Sequence, residues 1–384
     1  VDFGLTEEQQ QLVTMIEQFC KNETSRELDR ECDENERFPI ELNEKLAATG
    51  IYGLVMPEEY GGTGGSTVDF CLAVETLTKG SEAACALFLL PVFFAGEMML
   101  NNGSEEQKRE YIPEIIAGRL KGCFALTEPG VGSDASRVST RAVPDGDDWV
   151  INGQKTMITG AEIADYIMTV VRTDPESRRY DGLSIFMVPR ETPGITINKL
   201  KKLGGCIIST CEIFFEDVRV SQELIMGGPA GLNQGWGQMI KQLDVERIMM
   251  GASHVALAEK AFDDALAYAK QREQFGKPIS TYQMIIQILA DMKTQIEAGR
   301  WLTYRAAWLK DQGLPCSLEA SYCKLFATEM AKKVTQDGMQ VMGGYGYMMD
   351  YDMQRYVRDA LLGTIGGGTN QIQRLIIGKL LDCM

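Results

Sequence analysis

The sequence predicts an α+β fold in three consecutive parts: an N-terminal α-helical domain over 1–120, a middle β-barrel or sandwich domain over 121–233, and a C-terminal four-helix bundle over 234–384. Three textures along the chain carry this expectation. Apolar residues recur at helical spacing up to about Gly118. Short β-rich runs separated by turn residues follow, from about Lys121 to Val220. Long helical patterns then occupy the chain from about Trp236 onward.

Each part has its own local signals. Thr6-Glu7-Glu8-Gln9 has the form of a capping box, and Leu12, Met15, Ile16, Phe19 and Cys20 then share one helical face. Pro57 to Gly65 reads as a loop, with helices resuming near Ser66. Ala83 to Gly96 is the longest apolar stretch near the front; it reads as a buried helix too short to cross a bilayer. In the middle part, Trp149-Val150-Ile151 runs into Asn152-Gly153, the strongest two-residue hairpin signal, with Lys155 to Thr159 expected as the return strand. Tyr166 to Arg172, Leu183 to Val188, Ile195 to Leu200 and Cys211 to Val220 are further strand candidates. The bundle helices are expected over Ile248 to Tyr268, Tyr282 to Asp311, Ser317 to Met342 and Thr369 to Leu381.

Composition narrows the function classes. With 54 acidic against 38 basic residues the formal charge is −16, which repels a phosphate backbone and weighs against nucleic-acid binding. Ten cysteines are scattered without a CxxC pair, and His254 is the only histidine, so a zinc site has almost no ligands to draw on and no metal is expected. Those cysteines read as reduced core residues of a cytoplasmic protein. The stretch Val1-Asp2-Phe3-Gly4-Leu5-Thr6 has no basic run followed by an apolar one, so the expectation is a soluble protein with no membrane association.

Four motifs carry chemistry. Phe124-Ala125-Leu126-Thr127-Glu128-Pro129-Gly130-Val131-Gly132-Ser133-Asp134 is a glycine-rich loop leaving a strand, which lets backbone amides approach a ligand. Ile151-Asn152-Gly153-Gln154-Lys155-Thr156-Met157-Ile158-Thr159 follows it. Arg272-Glu273-Gln274-Phe275-Gly276-Lys277-Pro278, with Gln283 after it, offers a guanidinium fork suited to a diphosphate. Gln340-Val341-Met342-Gly343-Gly344-Tyr345-Gly346-Tyr347 leads to Arg358-Asp359 and then to Ile365-Gly366-Gly367-Gly368-Thr369-Asn370-Gln371. No GxGxxG follows a strand, which weighs against NAD.

In this order the motifs resemble the acyl-CoA dehydrogenase family from end to end. The resemblance implies FAD as cofactor, with Phe124, Leu126, Thr127, Met157 and Thr159 around the flavin ring. It implies that Arg272 and Phe275, with Gln283, reach the FAD of a neighbouring subunit in a homotetramer. Gln340, Gly344, Thr369 and Gln371 match positions lining the adenosine diphosphate part. Ser133, Asp244, Arg247, Gly366 and Gly368 match positions on the acyl-CoA side, and electron-transferring flavoprotein is the implied redox partner.

One departure bears on the chemistry. Many family members carry a Tyr-Glu pair, the Glu being the base, where this chain has Gly366-Gly367, and glycine cannot take a proton. Glu246 is the leading replacement, because helical spacing stands it over Met250, Ser253 and Leu257, an apolar face that raises a carboxyl pKa. The residues alone favour a first-turn acid at a helix start or a surface partner for Arg247, and an i,i+3 pair explains Asp244 and Arg247 as well as any substrate role. The resemblance to isovaleryl-CoA, long-chain acyl-CoA and γ-butyrobetainyl-CoA dehydrogenases implies that Glu246 is the base while the Gly367 amide still polarises the thioester oxygen. The expected function is α,β-dehydrogenation of an acyl-CoA to the 2-enoyl-CoA. The alternatives are the same site run as a 2-enoyl-CoA reductase, resembling crotonobetainyl-CoA reductases, and a non-catalytic protein of this fold. Glu128 and Asp134 are the next carboxylates should Glu246 not serve.

Overall fold

The computed structural model describes residues 4–177 and 179–383, so the outermost ends of the expected first and third parts, and the reading of Val1 to Phe3, lie outside the described residues. The first part contains α1 (Glu7–Glu23), α2 (Arg26–Glu34), α3 (Asn43–Ala47), α4 (Thr67–Gly80), α5 (Glu82–Leu89), α6 (Met98–Asn102) and α7 (Glu105–Ile116). The capping box opens α1: the Gln9 amide donates to Thr6 Oγ1 at 3.2 Å, and Gln9 Oε1 accepts from the Thr6 amide at 3.1 Å. Between α5 and α6, Leu90–Glu97 is wound as a π-helix, so Glu82–Asn102 forms one continuous 21-residue helical run with mean hydropathy 2.0. That corrects the expectation of a short helix, because the run is long and apolar enough to cross a membrane. Its most apolar window is 72% buried inside the protein, packed among α7, α8 and the first strand.

The middle part is a seven-stranded sheet of β1 (Gly122–Ala125), β2 (Arg141–Asp145), β3 (Asp148–Thr159), β4 (Tyr166–Arg172), β5 (Leu183–Pro189), β6 (Ile195–Lys199) and β7 (Thr210–Ser221). Its order is β1-β4-β2-β3-β7-β6, with β5 also paired to β4. The expected hairpin at Asn152-Gly153 is absent; β3 runs straight through these residues. They form a bulge against β7, where Asn152 exchanges hydrogen bonds with Asp217 at 2.9 and 3.0 Å. A side chain at Gly153 would begin 2.6 Å from Thr140 Oγ1, so the glycine there serves close packing. The real turn lies at Gly146 (φ +66°), between β2 and β3.

The third part holds α8 (Gly235–Gln271), a short ribbon of β8 (Glu273–Gln274) and β9 (Lys277–Pro278), then α9 (Gln283–Asp311), α10 (Ser317–Met342), α11 (Gly344–Tyr347), α12 (Met353–Gly363) and α13 (Asn370–Leu380). Helix α8 begins thirteen residues before the expected Ile248 and is 37 residues long. Its start was hidden by Gly235 and Gly237, but Gly235 packs directly on the Leu183 and Ser184 backbone, where any side chain would collide. Helix α10 runs parallel to α8, with Cys323 beside Arg247 and Gly338 beside Ala261. Helix α12 escaped the sequence reading because its charges interrupt the apolar pattern. Arg355 and Asp352 are nevertheless buried, in ion pairs with Glu82 and Arg30.

Candidate active site

Glu246 lies in the fourth turn of α8, not at a helix start, so the first-turn reading is excluded. Its carboxylate has no hydrogen-bond or ion-pair partner among the described residues. Part of its surface stays open, yet burial raises its proton affinity, with the Arg247 and Lys324 charges opposing. Met250 and Leu257 below it are buried, as the spacing predicts. Arg247 points away: it pairs with Asp244 at 2.8 Å, and Asp244 also accepts from Ser317 Oγ at 2.6 Å. The i,i+3 pair is therefore formed.

The chain from Gly363 to Asn370 lies across this face of α8. The His254 ring rests on Gly363 so closely that a side chain there would start 2.1 Å from Nε2. Burial holds the His254 imidazole down at about 4, so it stays neutral; Nδ1 bonds to the Met250 carbonyl at 2.8 Å. Four residues on, a side chain at Gly367 would begin 2.4 Å from Met250 Sδ and 3.4 Å from Glu246 Oε1. A residue at 367 and the carboxylate of Glu246 thus reach for the same space from two elements. Gly367 and Gly368 adopt φ of +60° and +78°, and among the described residues the amides of Gly367, Gly368 and Thr369 have no protein acceptor. Successive open amides in such a turn form a nest for an oxyanion or carbonyl oxygen.

The glycine-rich loop after β1 is fixed from below. Lys155, fully buried on β3, donates to the Leu126 carbonyl at 3.0 Å and to Glu128 at 2.9 Å. Glu128 also accepts from the Ser139 amide, the Ser139 hydroxyl and the Thr140 amide. Burial alone would raise this carboxyl, but Lys155 and these donors outweigh it and hold it at about 2. So engaged, Glu128 cannot serve as a base, and Asp134 stands in the exposed part of the loop with its carboxylate on Ser136. The Thr156 amide donates to the Thr127 carbonyl at 2.9 Å, joining the first two motifs. Beside it Met157 holds φ +59° and is 63% exposed, an unusual conformation for a large apolar side chain that suits a flat ligand face. Thr159 is half-buried, as are Phe124 and Leu126, while Ser133 is exposed. The π-helical segment joins this loop to the Glu246 helix: Gln242 donates to the Phe93 carbonyl at 3.2 Å, and Ala95 packs against Gly122 of β1.

The remaining motif residues gather elsewhere. Arg272 stacks over the Tyr345 ring at 5.9 Å, beside Gly344, where a side chain would meet only open space. Phe275 holds φ +52° and is 95% exposed, and Arg272, Gln283 and Gln340 are exposed as well. Arg272 lies about 39 Å along α8 from Glu246, and Gln340 about 24 Å along α10 from the Gly368 turn. Thr369 and Gln371, expected beside Gln340 and Gly344, stay at the Glu246 end: Thr369 caps α13 and Gln371 is exposed. The two groups thus lie toward opposite ends of α8 and α10.

Three participants were missed by the sequence reading. Lys324 reaches the Gly368 carbonyl from α10. Arg358 pairs with Asp33 and the Leu203 carbonyl, and Asp359 accepts from the Gly205 amide, so this Arg-Asp pair joins all three parts of the chain. Only the quoted Arg-Asp dipeptide hinted at the latter; nothing local marks Lys324.

Comparison with known proteins agrees along the full length. Sequence profiles of the acyl-CoA dehydrogenase N-terminal, middle and C-terminal domains match residues 6–119, 123–218 and 233–381. The chain is 40% identical over 385 residues to the probable acyl-CoA dehydrogenase YngJ of Bacillus subtilis, covering 99% of this chain and 100% of that protein. It is 36% identical to the caffeyl-CoA reductase-Etf complex subunit CarC of Acetobacterium woodii, covering 98% of each. Butyryl-CoA dehydrogenase of Megasphaera elsdenii superposes with a TM-score of 0.94 at 36% identity, covering 99% of this chain and 100% of that one.

Proposed function

From its membership of the acyl-CoA dehydrogenase family, to which this chain belongs, and from the geometry around Glu246, we propose the following reaction. The protein is an FAD-dependent acyl-CoA dehydrogenase that converts an acyl-CoA thioester to the 2-enoyl-CoA, with Glu246 as the base. The observation that carries this is the unpaired, partly desolvated Glu246 carboxylate 3.4 Å from where a side chain on Gly367 would begin. This supports the reading, implied by the resemblance to isovaleryl-CoA and long-chain acyl-CoA dehydrogenases, of a base on α8 near the spot a loop glutamate would otherwise fill.

Glu246 takes the α-proton; its desolvation favours the neutral acid that results. The Gly367 amide donates to the thioester oxygen, and an amide needs no side chain for that role. Thr127, Met157 and Thr159 would hold the flavin ring, and the exposed, strained Met157 fits that cofactor. FAD supplies the acceptor for the β-hydride. Arg272, Phe275 and Gln283 of one chain, with Gln340 and Gly344, complete the dinucleotide site of a neighbouring chain in a homotetramer. Support comes from the two separated groups of cofactor residues. Electron-transferring flavoprotein is the redox partner, as the name of the Acetobacterium woodii relative suggests for that protein. Nine of ten cysteines are buried and all are free thiols, which suits a reducing cytoplasm.

The reductase relative supports the reverse reaction as the second reading. The test is anaerobic mixing of the FAD-loaded protein with a panel of acyl-CoAs and enoyl-CoAs. Bleaching of the flavin by a saturated thioester supports the dehydrogenase. Reoxidation of the reduced enzyme only by enoyl-CoAs favours the reductase, and no response to any thioester contradicts both.

A further inference from the structure

Lys324 is a fully buried cation that the proposed reaction does not use. It sits on α10, and its ammonium donates to the Gly368 carbonyl at 2.9 Å and to Asn370 Oδ1 at 2.8 Å. Gln373 Nε2 reaches the carbonyls of Gly367 and Gly368 at 3.3 and 3.1 Å. In a trans peptide the N–H points opposite to the C=O. Carbonyls drawn inward at Gly367 and Gly368 therefore turn the amides of Gly368 and Thr369 outward, beside the open amide of Gly367.

The same ammonium acts electrostatically on Glu246. The other charges near the pair are accounted for. Arg247 is tied to Asp244, Glu329 lies beside Arg374 and Asn370, and His254 is neutral. Burial draws Lys324 down to about 8, with Glu246 opposing, so the lysine stays mostly protonated at neutral pH.

We propose that Lys324 is a positioning residue of the site: it pins the Gly367-Gly368-Thr369 turn with its amides open to a thioester oxygen, and it stands as a cation behind the turn that Glu246 faces. This rests on the reading of Glu246 as the base. Lys324→Gln keeps a hydrogen-bond donor and removes the charge, whereas Lys324→Met removes both.

Two measurements on the FAD-loaded variants test the proposal. One is the infrared difference titration of the Glu246 carboxyl, taken against Glu246→Gln. The other is the pH profile of flavin reduction by the most reactive acyl-CoA. In Lys324→Gln the Glu246 midpoint and the acid limb of the profile both move to higher pH, by roughly one unit, with most of the plateau rate kept. In Lys324→Met the limb moves equally and the plateau falls at least about tenfold. An unshifted midpoint in both variants overturns the proposal. So does failure of both to yield folded, FAD-loaded protein, which assigns Lys324 to the core alone. If the base assignment itself is wrong, Glu246→Gln keeps its flavin reduction. If only the lysine proposal fails, Glu246→Gln is inactive while Lys324→Gln keeps the wild-type limb.

Discussion

A single glycine separates this site from the loop-based arrangement, and its geometry explains why it is a glycine. Gly367 has φ +60°, and a methyl group added there would begin 2.4 Å from Met250 Sδ. Gly367→Ala should therefore lower stability by about 1–2 kcal/mol in urea denaturation. It should also slow flavin reduction at least about tenfold, because the added carbon crowds Glu246. Unchanged rates would mean that the turn relaxes freely and does not set the site. The loss of a loop glutamate was plain in the sequence, and so was the apolar face beneath Glu246. Lys324 was not, because its partners lie 44 and 46 residues away, in the glycine turn and at the start of α13. No local pattern records a side chain that reaches a distant carbonyl.

Elements were legible where the pattern is periodic and obscured where glycine does positional work. The strands β4 to β7 follow from β-rich runs set between turn residues. Asn152-Gly153 misled because its signal is local, whereas Asp217 and Thr140 claim those residues from distant parts of the sheet. Beneath the loop after β1, the Glu128–Lys155 pair is the element-scale anchor. Lys155→Met leaves a buried carboxylate unpaired and should cost about 3–5 kcal/mol, with loosened flavin retention. The pH sign follows from the lowered carboxyl: its folded value of about 2 lies below the unfolded value of 4.5. The stabilisation is thus complete above pH 4.5 and is lost as pH falls toward 2. A pH series of denaturation midpoints should show a shallower acid slope for Glu128→Gln than for the wild type; equal slopes would refute the pairing argument.

For the molecule as a whole, the two groups of residues proposed to hold FAD lie toward opposite ends of α8 and α10, and the proposed site takes one group from each of two chains. Glu246→Gln and Arg272→Ala should each be inactive as homo-oligomers. Mixed oligomers, formed by co-expression, contain sites that take an intact Glu246 from one chain and an intact Arg272 from the other. With equal, random mixing such sites amount to about a quarter of the total, so roughly a quarter of wild-type activity should return. No recovery in verified mixed oligomers would mean that each chain completes its own site. The three-part architecture was readable from texture alone, but this sharing was implied only by resemblance. A periodic sequence reports which face of α8 is buried and says nothing of how far Arg272 lies from the flavin it serves.

The central claim is that proton abstraction belongs to α8 and not to the glycine turn. It is tested most directly by Glu246→Gln, loaded with FAD and mixed anaerobically in deuterated water with the acyl-CoA that reduces the wild type fastest. Binding of FAD and thioester should persist, while flavin reduction and exchange of the α-proton both fall by at least about a thousandfold. Wild-type exchange and reduction in that variant would contradict the account.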